Sequence, residues 1–144
     1  MGCRRPRIPK TGHNSGKMIV DTNALSALSY DDPALLARMD HPNTPRPYLN
    51  FICLGEYRSG ILGSTRPQKP LAMLEQICAA WPTLHSDNIT VTHYAEISDK
   101  LRTKGRSIPT NDIWIAALAR QHDMPILSQD RHFDHIPGIE RIGW

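Results

Sequence analysis

The sequence lacks the features that mark several common protein classes. No apolar run approaches the roughly 18 residues that a membrane-spanning helix requires. The only cysteines are Cys3, Cys53 and Cys78, and no two of them form a CxxC pair. A disulfide framework and a structural zinc site are therefore disfavoured. No GxGxxG or Walker loop is present, so nothing supports nucleotide binding. These absences predict a protein of the reducing cytoplasm with no membrane span.

Positive charge is concentrated at the start of the chain. Residues 1–17 contain five basic residues and no acidic one, whereas residues 18–144 contain 12 basic and 14 acidic residues. Because Ile8 is the only large aliphatic residue among the first 17, we expect a disordered basic leader there. The alternative is that Met18 is the true start, and we predict that the leader is dispensable. Residues 18–144 are long enough to form one domain with its own core.

Short apolar stretches alternate with amphipathic ones along residues 18–144. The residues favour strands at 19–20, 48–51, 81–86 and 125–128, and a last strand within 136–144. Between them, spacings of three and four predict helices at 24–28, 33–39, 54–61, 70–80, 88–104 and 113–119. This alternation predicts an α/β fold whose central, mainly parallel sheet is covered on both faces.

Four acidic residues fall at equivalent places in this pattern. Asp21 and Asp130 follow predicted strands, while Glu56 and Asp112 stand in the first turns of predicted helices. Because right-handed crossovers keep the carboxyl ends of parallel strands together, all four should lie on one rim. Carboxylates at such a rim repel one another by roughly 1 kcal/mol or more per close pair. Oxygen ligands of this kind select a hard cation, Mg²⁺ or Mn²⁺, which can activate water against a phosphodiester.

Each acid also has a simpler interpretation when it is taken alone. Asp21 could cap the first helix, and Glu56 could be an ordinary surface residue. Asp112 could interact with a helix dipole, and Asp130 could form a turn beside Arg131. His132 and His135 are at helical spacing, but no second pair completes a zinc site, so we do not expect them to bind metal.

A basic cluster lies at 100–106, where Lys100, Arg102, Lys104 and Arg106 surround Gly105. Either it is a solvated helix end favoured by the helix dipole, or it contacts phosphate.

The acids stand within motifs that resemble those of a known family. The motifs are IVDTN around Asp21, CLGE ending at Glu56, NDIWIAA around Asp112 and LSQDRHF around Asp130. Their order and spacing over residues 18–144 resemble the PIN-domain family. Within that family, the chain is similar to the VapC ribonuclease toxins of VapBC toxin–antitoxin pairs.

The resemblance implies a PIN-like three-layer α/β/α sandwich and an endoribonuclease that uses Mg²⁺ or Mn²⁺. It implies Asp21, Glu56, Asp112 and Asp130 as catalytic and metal-binding residues, with Asn23 and Ser128 supporting them through hydrogen bonds. It also implies a cognate VapB-type antitoxin, an RNA substrate such as tRNA, and a homodimer. Two alternatives stay open: a non-catalytic PIN-like module that binds RNA or protein, and a metal nuclease that acts on DNA.

Overall fold

The computed structural model describes residues 16–144. The predicted leader therefore lies outside the described residues, apart from Gly16 and Lys17. Lys17 is the first residue of the first strand, so this strand begins one residue before Met18.

The centre of the protein is a five-stranded sheet in which every neighbouring pair of strands is parallel. The strand order is β3-β2-β1-β4-β5, which places β1 in the middle. Residues Ile19 and Val20 of β1 pair with Ile126 and Leu127 of β4. The five strands are β1 (Lys17–Val20), β2 (Arg46–Asn50), β3 (Thr83–Leu84), β4 (Ile126–Leu127) and β5 (Arg141–Ile142). The α/β class and the parallel sheet predicted from the sequence are confirmed.

Six helices cover the sheet. The first three are α1 (Thr22–Ser29), α2 (Pro33–Asp40) and α3 (Phe51–Leu62). The others are α4 (Gln68–Ala80), α5 (Asn88–Thr103) and α6 (Thr110–His122). The chain moves outward from β1 to β3 and then crosses back to β4. Because parallel crossovers are right-handed, this reversal places α1–α4 on one face and α5–α6 on the other. The packing agrees, since α1 contacts α2, α3 and α4, and α5 packs on α6.

Burial of β1 and α6 explains their apolar sequences. Met18, Ile19 and Val20 of β1 are completely buried, as expected for a central strand with both faces covered. Helix α6 buries Ile115 and Leu118 together with the small side chains of Ala116, Ala117 and Ala119. Strand β1 and helix α6 are therefore buried supports for the edge of the sheet where the carboxyl ends of the strands lie.

The boundary between β2 and α3 differs from the sequence prediction. Phe51 was expected to end the strand, but it is the first residue of α3. The cause is Asn50, whose side-chain oxygen accepts a hydrogen bond from the Cys53 backbone N–H at 2.9 Å and caps the helix. The amide of Asn50 also donates to the Val20 carbonyl at 3.1 Å. Asn50 thus ties the start of α3 to the carboxyl end of β1.

Other boundaries shift because the outer strands are short. The predicted strand at 81–86 shrinks to Thr83–Leu84, and the last strand is Arg141–Ile142, with Ile139 before it. A 3₁₀ helix at Arg131–His135, which the sequence reasoning did not identify, links β4 to β5. None of the helices within residues 16–144 is both long and apolar enough to cross a membrane.

Candidate metal centre

The candidate site lies where the direction of the chain across the sheet reverses. Strands β1 and β4 are neighbours, and their connections leave in opposite directions. Such a switch point opens a crevice at the carboxyl ends of the strands. Asp21 directly follows β1, and Asp130 comes three residues after the end of β4. The sequence prediction that strand ends deliver carboxylates to one rim is therefore met in the geometry.

Asp21 is held at the bottom of this crevice and is only 5% exposed. Its carboxylate accepts hydrogen bonds from the Thr22 backbone N–H at 2.8 Å and from the Ser128 hydroxyl at 2.6 Å. The Cys53 thiol approaches the same carboxylate at 3.6 Å. Burial raises the pKa of Asp21, and these donors lower it in part. Asp21 does cap α1, so the simple interpretation is also true, but capping uses only one of its oxygens.

The Ser128 hydroxyl connects the two strand ends. It donates to Asp21, and it accepts hydrogen bonds from the Asp130 backbone N–H at 2.9 Å and the Asn23 side-chain amide at 3.1 Å. The oxygen of the Asn23 amide accepts in turn from the Gln129 backbone N–H at 3.4 Å. This network is the one that supporting roles for Asn23 and Ser128 would require.

Among residues 16–144, Asp112, Asp130 and His132 form a close cluster of potential metal ligands. One ligand atom from each residue lies within 4.8 Å of the other two. Nδ1 of His132 is 3.2 Å from Asp112 Oδ2 and 3.1 Å from Asp130 Oδ1. Asp112 enters the cluster from the first turn of α6, where the helix dipole favours a carboxylate.

The pKa values of Asp112 and His132 are shifted because the charged groups of the cluster lie close together. Burial, together with the nearby carboxylates of Asp21 and Asp130, raises the pKa of Asp112 to about 6, against the hydrogen bond from His132. The hydrogen bond with Asp112 raises the pKa of His132, and the charge of Asp130 acts in the same direction. The charges of these acids therefore repel one another, as the sequence predicted for carboxylates on a shared rim.

His132 is the residue that the sequence reasoning missed. From its spacing to His135, the sequence did not predict a metal ligand, but the structure pairs His132 with two aspartates. The local cause is Asp130, whose carboxylate accepts a hydrogen bond from the His132 backbone N–H at 2.9 Å and so caps the 3₁₀ helix. An aspartate that bonds the backbone two residues later is a common turn, and that tendency was the available signal.

Glu56 stands at the edge of the cluster. Its Oε1 accepts a hydrogen bond from the Thr22 hydroxyl at 3.1 Å, next to Asp21. It also lines a cavity of about 610 Å³ together with Phe51, Asn111 and Trp114. The structure thus brings Asp112 and Asp130 together and links Asp21 to Asp130 through Ser128. Glu56 is connected to the site by its hydrogen bond from Thr22.

The donor set fits a hard or borderline divalent cation. Aspartate oxygens are suited to Mg²⁺ and Mn²⁺, and an imidazole nitrogen is compatible with Mn²⁺. Neighbouring ligands on an octahedral ion with bonds of 2.0–2.1 Å lie about 3 Å apart, and the two contacts of His132 Nδ1 are of that length. Asp112, Asp130 and His132, with Asp21 behind them, are therefore the residues that would hold the ion.

The residues of the candidate site lie within the part of the chain that matches a known protein family. The family model described as "PIN domain" matches residues 18–139. Ribonuclease VapC4 of Mycobacterium tuberculosis is 32% identical over 96 residues, which cover 65% of this chain and 74% of that protein. A protein of Salmonella typhimurium named tRNA(fMet)-specific endonuclease VapC is 27% identical over 129 residues, which cover 89% of this chain and 98% of that protein.

Solved structures share the fold. The crystal structure of DNA-bound VapBC from Salmonella typhimurium contains a chain with a TM-score of 0.79 and 27% identity, with coverage of 90% of this chain and 98% of that one. VapBC-1 from nontypeable Haemophilus influenzae gives a TM-score of 0.77 at 23% identity, with coverage of 89% and 98%. The three-layer architecture predicted from the sequence is the architecture of these neighbours.

Proposed function

Because the chain belongs to the PIN-domain family, we propose that it is a metal-dependent endoribonuclease and the toxin of a VapBC-type toxin–antitoxin pair. The observation that carries this proposal is the convergence of Asp112, Asp130 and His132 beside the buried carboxylate of Asp21. Negative charge on this scale is costly to assemble, and a bound cation offsets the cost. Relatives named as ribonucleases and endonucleases support the reaction class.

The residues of the chain have distinct roles in this proposal. Bound Mg²⁺ or Mn²⁺ supplies positive charge to the phosphodiester and lowers the pKa of water. Asp112 and Asp130 would hold the ion, and their carboxylate oxygens would orient the attacking water. Asp21 fixes the base of the site, because its hydrogen bonds to Thr22 and Ser128 leave it no freedom to turn. Glu56, whose carboxylate lies beside Thr22, would accept the proton of the water during in-line attack.

Two other functions make different predictions. A non-catalytic PIN-like module would bind RNA or protein without cutting it, and a DNA-directed nuclease would prefer DNA. End-labelled RNA and DNA of the same sequence, single-stranded and structured, separate the three cases when they are incubated with the protein and Mn²⁺. We expect metal-dependent cleavage of RNA, with DNA left intact.

The RNA target is proposed to be a structured RNA such as tRNA. Support comes from the Salmonella relative, whose name specifies tRNA(fMet). Sequencing of the 5′ ends of cellular RNA after induced expression identifies the cut site. A specific target gives new ends at one position in one class of RNA, whereas unspecific cleavage scatters them.

A VapB-type antitoxin is the proposed partner. Several structural neighbours are VapBC complexes, and an acidic rim is a suitable receptor for an arginine of a partner. Co-expression with the product of a small gene immediately upstream should restore growth and yield a complex that purifies together. We also propose a homodimer, on the resemblance to VapC chains, and light scattering of the purified protein measures its mass directly.

A further inference from the structure

A concentration of positive charge lies at the end of α5. Four of the twelve basic residues in 18–144 fall within seven positions, namely Lys100, Arg102, Lys104 and Arg106. Arg102 forms an ion pair with Asp99 at 2.5 Å. Within residues 16–144 the other three have no ion-pair partner. Favourable interaction with the dipole of α5 is confined to its last turn, and it does not account for the charge that continues past the helix.

The backbone beyond α5 presents this charge from a fixed geometry. Gly105 has φ of +66°, and its N–H donates to the Arg102 carbonyl at 3.0 Å. The N–H of Arg106 donates to the Leu101 carbonyl at 2.9 Å. This pair of bonds is a Schellman motif, which requires the left-handed conformation that glycine adopts without strain. The chain therefore turns at Gly105, and Arg106, which is exposed, lies next to the end of the helix.

A cavity of about 380 Å³ lies beside the motif, between the end of α5 and the start of α6. Its polar lining includes the side chains of Arg102, Arg106 and Ser107, and its apolar lining includes Ile113. Ile113 directly follows Asp112 in the sequence, so the cavity reaches the end of α6 that carries Asp112. We call the group Arg102, Arg106 and Ser107, with the space that they line, the basic pocket.

We propose that the basic pocket binds a backbone phosphate of the RNA strand, next to the phosphodiester that is cut. This inference rests on the proposed nuclease function. The acidic rim repels a polyanion, so the strand needs a cationic contact close to the site, and phosphate neutralisation supplies most sequence-independent affinity. The guanidinium group of Arg106 is suited to a phosphate, because arginine binds it through paired hydrogen bonds. Arg102, which also pairs with Asp99, and Ser107 line the same space.

The test compares RNA binding by the full chain and its Arg106→Gln variant. A fluorescein-labelled single-stranded RNA of mixed sequence is titrated in EDTA, which prevents cleavage, at several salt concentrations. The matched control is Arg66→Gln, which removes an exposed arginine in the linker between α3 and α4. That linker follows α3, whose length of about 18 Å separates it from the rim. Arg106→Lys keeps the charge without the paired hydrogen bonds.

We expect Arg106→Gln to weaken RNA binding about 3- to 10-fold and to reduce the slope of log affinity against log salt by about 0.7. Arg66→Gln should change neither, and Arg106→Lys should recover the slope. In cleavage with Mn²⁺, KM should rise and kcat should stay within about twofold. If the Arg106→Gln and Arg66→Gln proteins bind alike, the inference is overturned although the nuclease stands. If the parent chain neither binds nor cuts RNA, the proposed function fails and the inference fails with it.

Discussion

The hydroxyl group of Ser128 donates a hydrogen bond of 2.6 Å to the carboxylate of Asp21, and both residues are buried. They stand at the ends of neighbouring strands, 107 residues apart in the sequence. A hydroxyl–carboxylate bond of this length is charge-assisted and strong. The same hydroxyl accepts the backbone N–H of Asp130, so it sets the position of two of the proposed metal-binding acids at once.

Removal of that hydroxyl should therefore cost stability and metal affinity together. In Ser128→Ala, the buried carboxylate of Asp21 loses its strongest donor, which costs about 1–3 kcal/mol of the free energy of unfolding. Urea denaturation measures this loss. Ser26→Ala is the control, because Ser26 lies on α1 and its hydroxyl group makes no hydrogen bond within residues 16–144. Equal stability of the two variants would mean that the Ser128 bond does not hold Asp21.

Neutralisation of Asp112 should stabilise the metal-free protein. The pKa of Asp112 is raised to about 6, so at neutral pH the folded state holds a charge that it disfavours. Asp112→Asn removes this cost, and we expect a gain of about 1–2 kcal/mol, or a few degrees in Tm, in EDTA at pH 7.5. Differential scanning fluorimetry provides the measurement.

The control for that variant is Asp123→Asn at the other end of α6. It makes the same change in charge at an exposed position with φ of +52°, which asparagine accepts readily. Addition of Mn²⁺ should raise the Tm of the parent and of Asp123→Asn, and raise that of Asp112→Asn much less. A metal response that is the same in all three proteins contradicts the site.

The metal-free protein should lose stability as the pH rises from about 5 to 8. A carboxyl group whose pKa is raised by folding stabilises the fold at a pH below its pKa in the unfolded chain. That contribution is lost as the pH rises through its pKa in the folded protein, which is about 6 for Asp112. The raised pKa of His132 acts in the same direction, since its contribution is lost above the folded pKa. Saturating Mn²⁺ should flatten or reverse this trend, because the ion binds the deprotonated ligands. Thermal melts across this pH range with and without Mn²⁺ test the sign, and a metal-free Tm that rises with pH opposes it.

The positions of the acids could be predicted from the sequence because they follow from topology. A buried β-branched pair before Asp21 and an apolar run before Asp130 place both at strand ends, and parallel strands bring those ends to one rim. Asp112 could also be placed at this rim, because it stands in the first turn of a strongly apolar helix.

The contacts between side chains could not be predicted in this way. His132 reaches Asp112 only because a 3₁₀ helix reverses the chain after Asp130, and one-turn elements leave no periodic pattern in a sequence. Phe51 was misplaced in a strand because its composition favours strands, whereas the capping bond of Asn50 decided the boundary. Local polar bonds of this kind determine where elements end, and they depend on neighbours that are distant in the sequence.

His132 should make the site bind Mn²⁺ in preference to Mg²⁺. Imidazole is a better ligand for Mn²⁺ than for the harder Mg²⁺, and Nδ1 of His132 points at both aspartates. We expect His132→Ala to lower Mn²⁺ affinity about 10-fold and Mg²⁺ affinity much less. Electron paramagnetic resonance of free Mn²⁺ measures the first, and competition by Mg²⁺ the second. His135→Ala is the matched control at an exposed position of the same 3₁₀ helix, and equal Mn²⁺ affinity in both variants would exclude His132 as a ligand.

The most direct test of the central claim is the rate at which purified protein cuts a structured RNA that it recognises. The rate is measured with Mn²⁺, with Mg²⁺ and with EDTA, for the parent chain, Asp112→Asn and Asp123→Asn. We predict cleavage by the parent and by Asp123→Asn with either ion, none with EDTA, and a loss of at least about 100-fold in Asp112→Asn, which removes a charged ligand from the reacting centre. Cleavage by Asp112→Asn at the parent rate, or cleavage that persists in EDTA, would contradict a metal-dependent nuclease built on these acids.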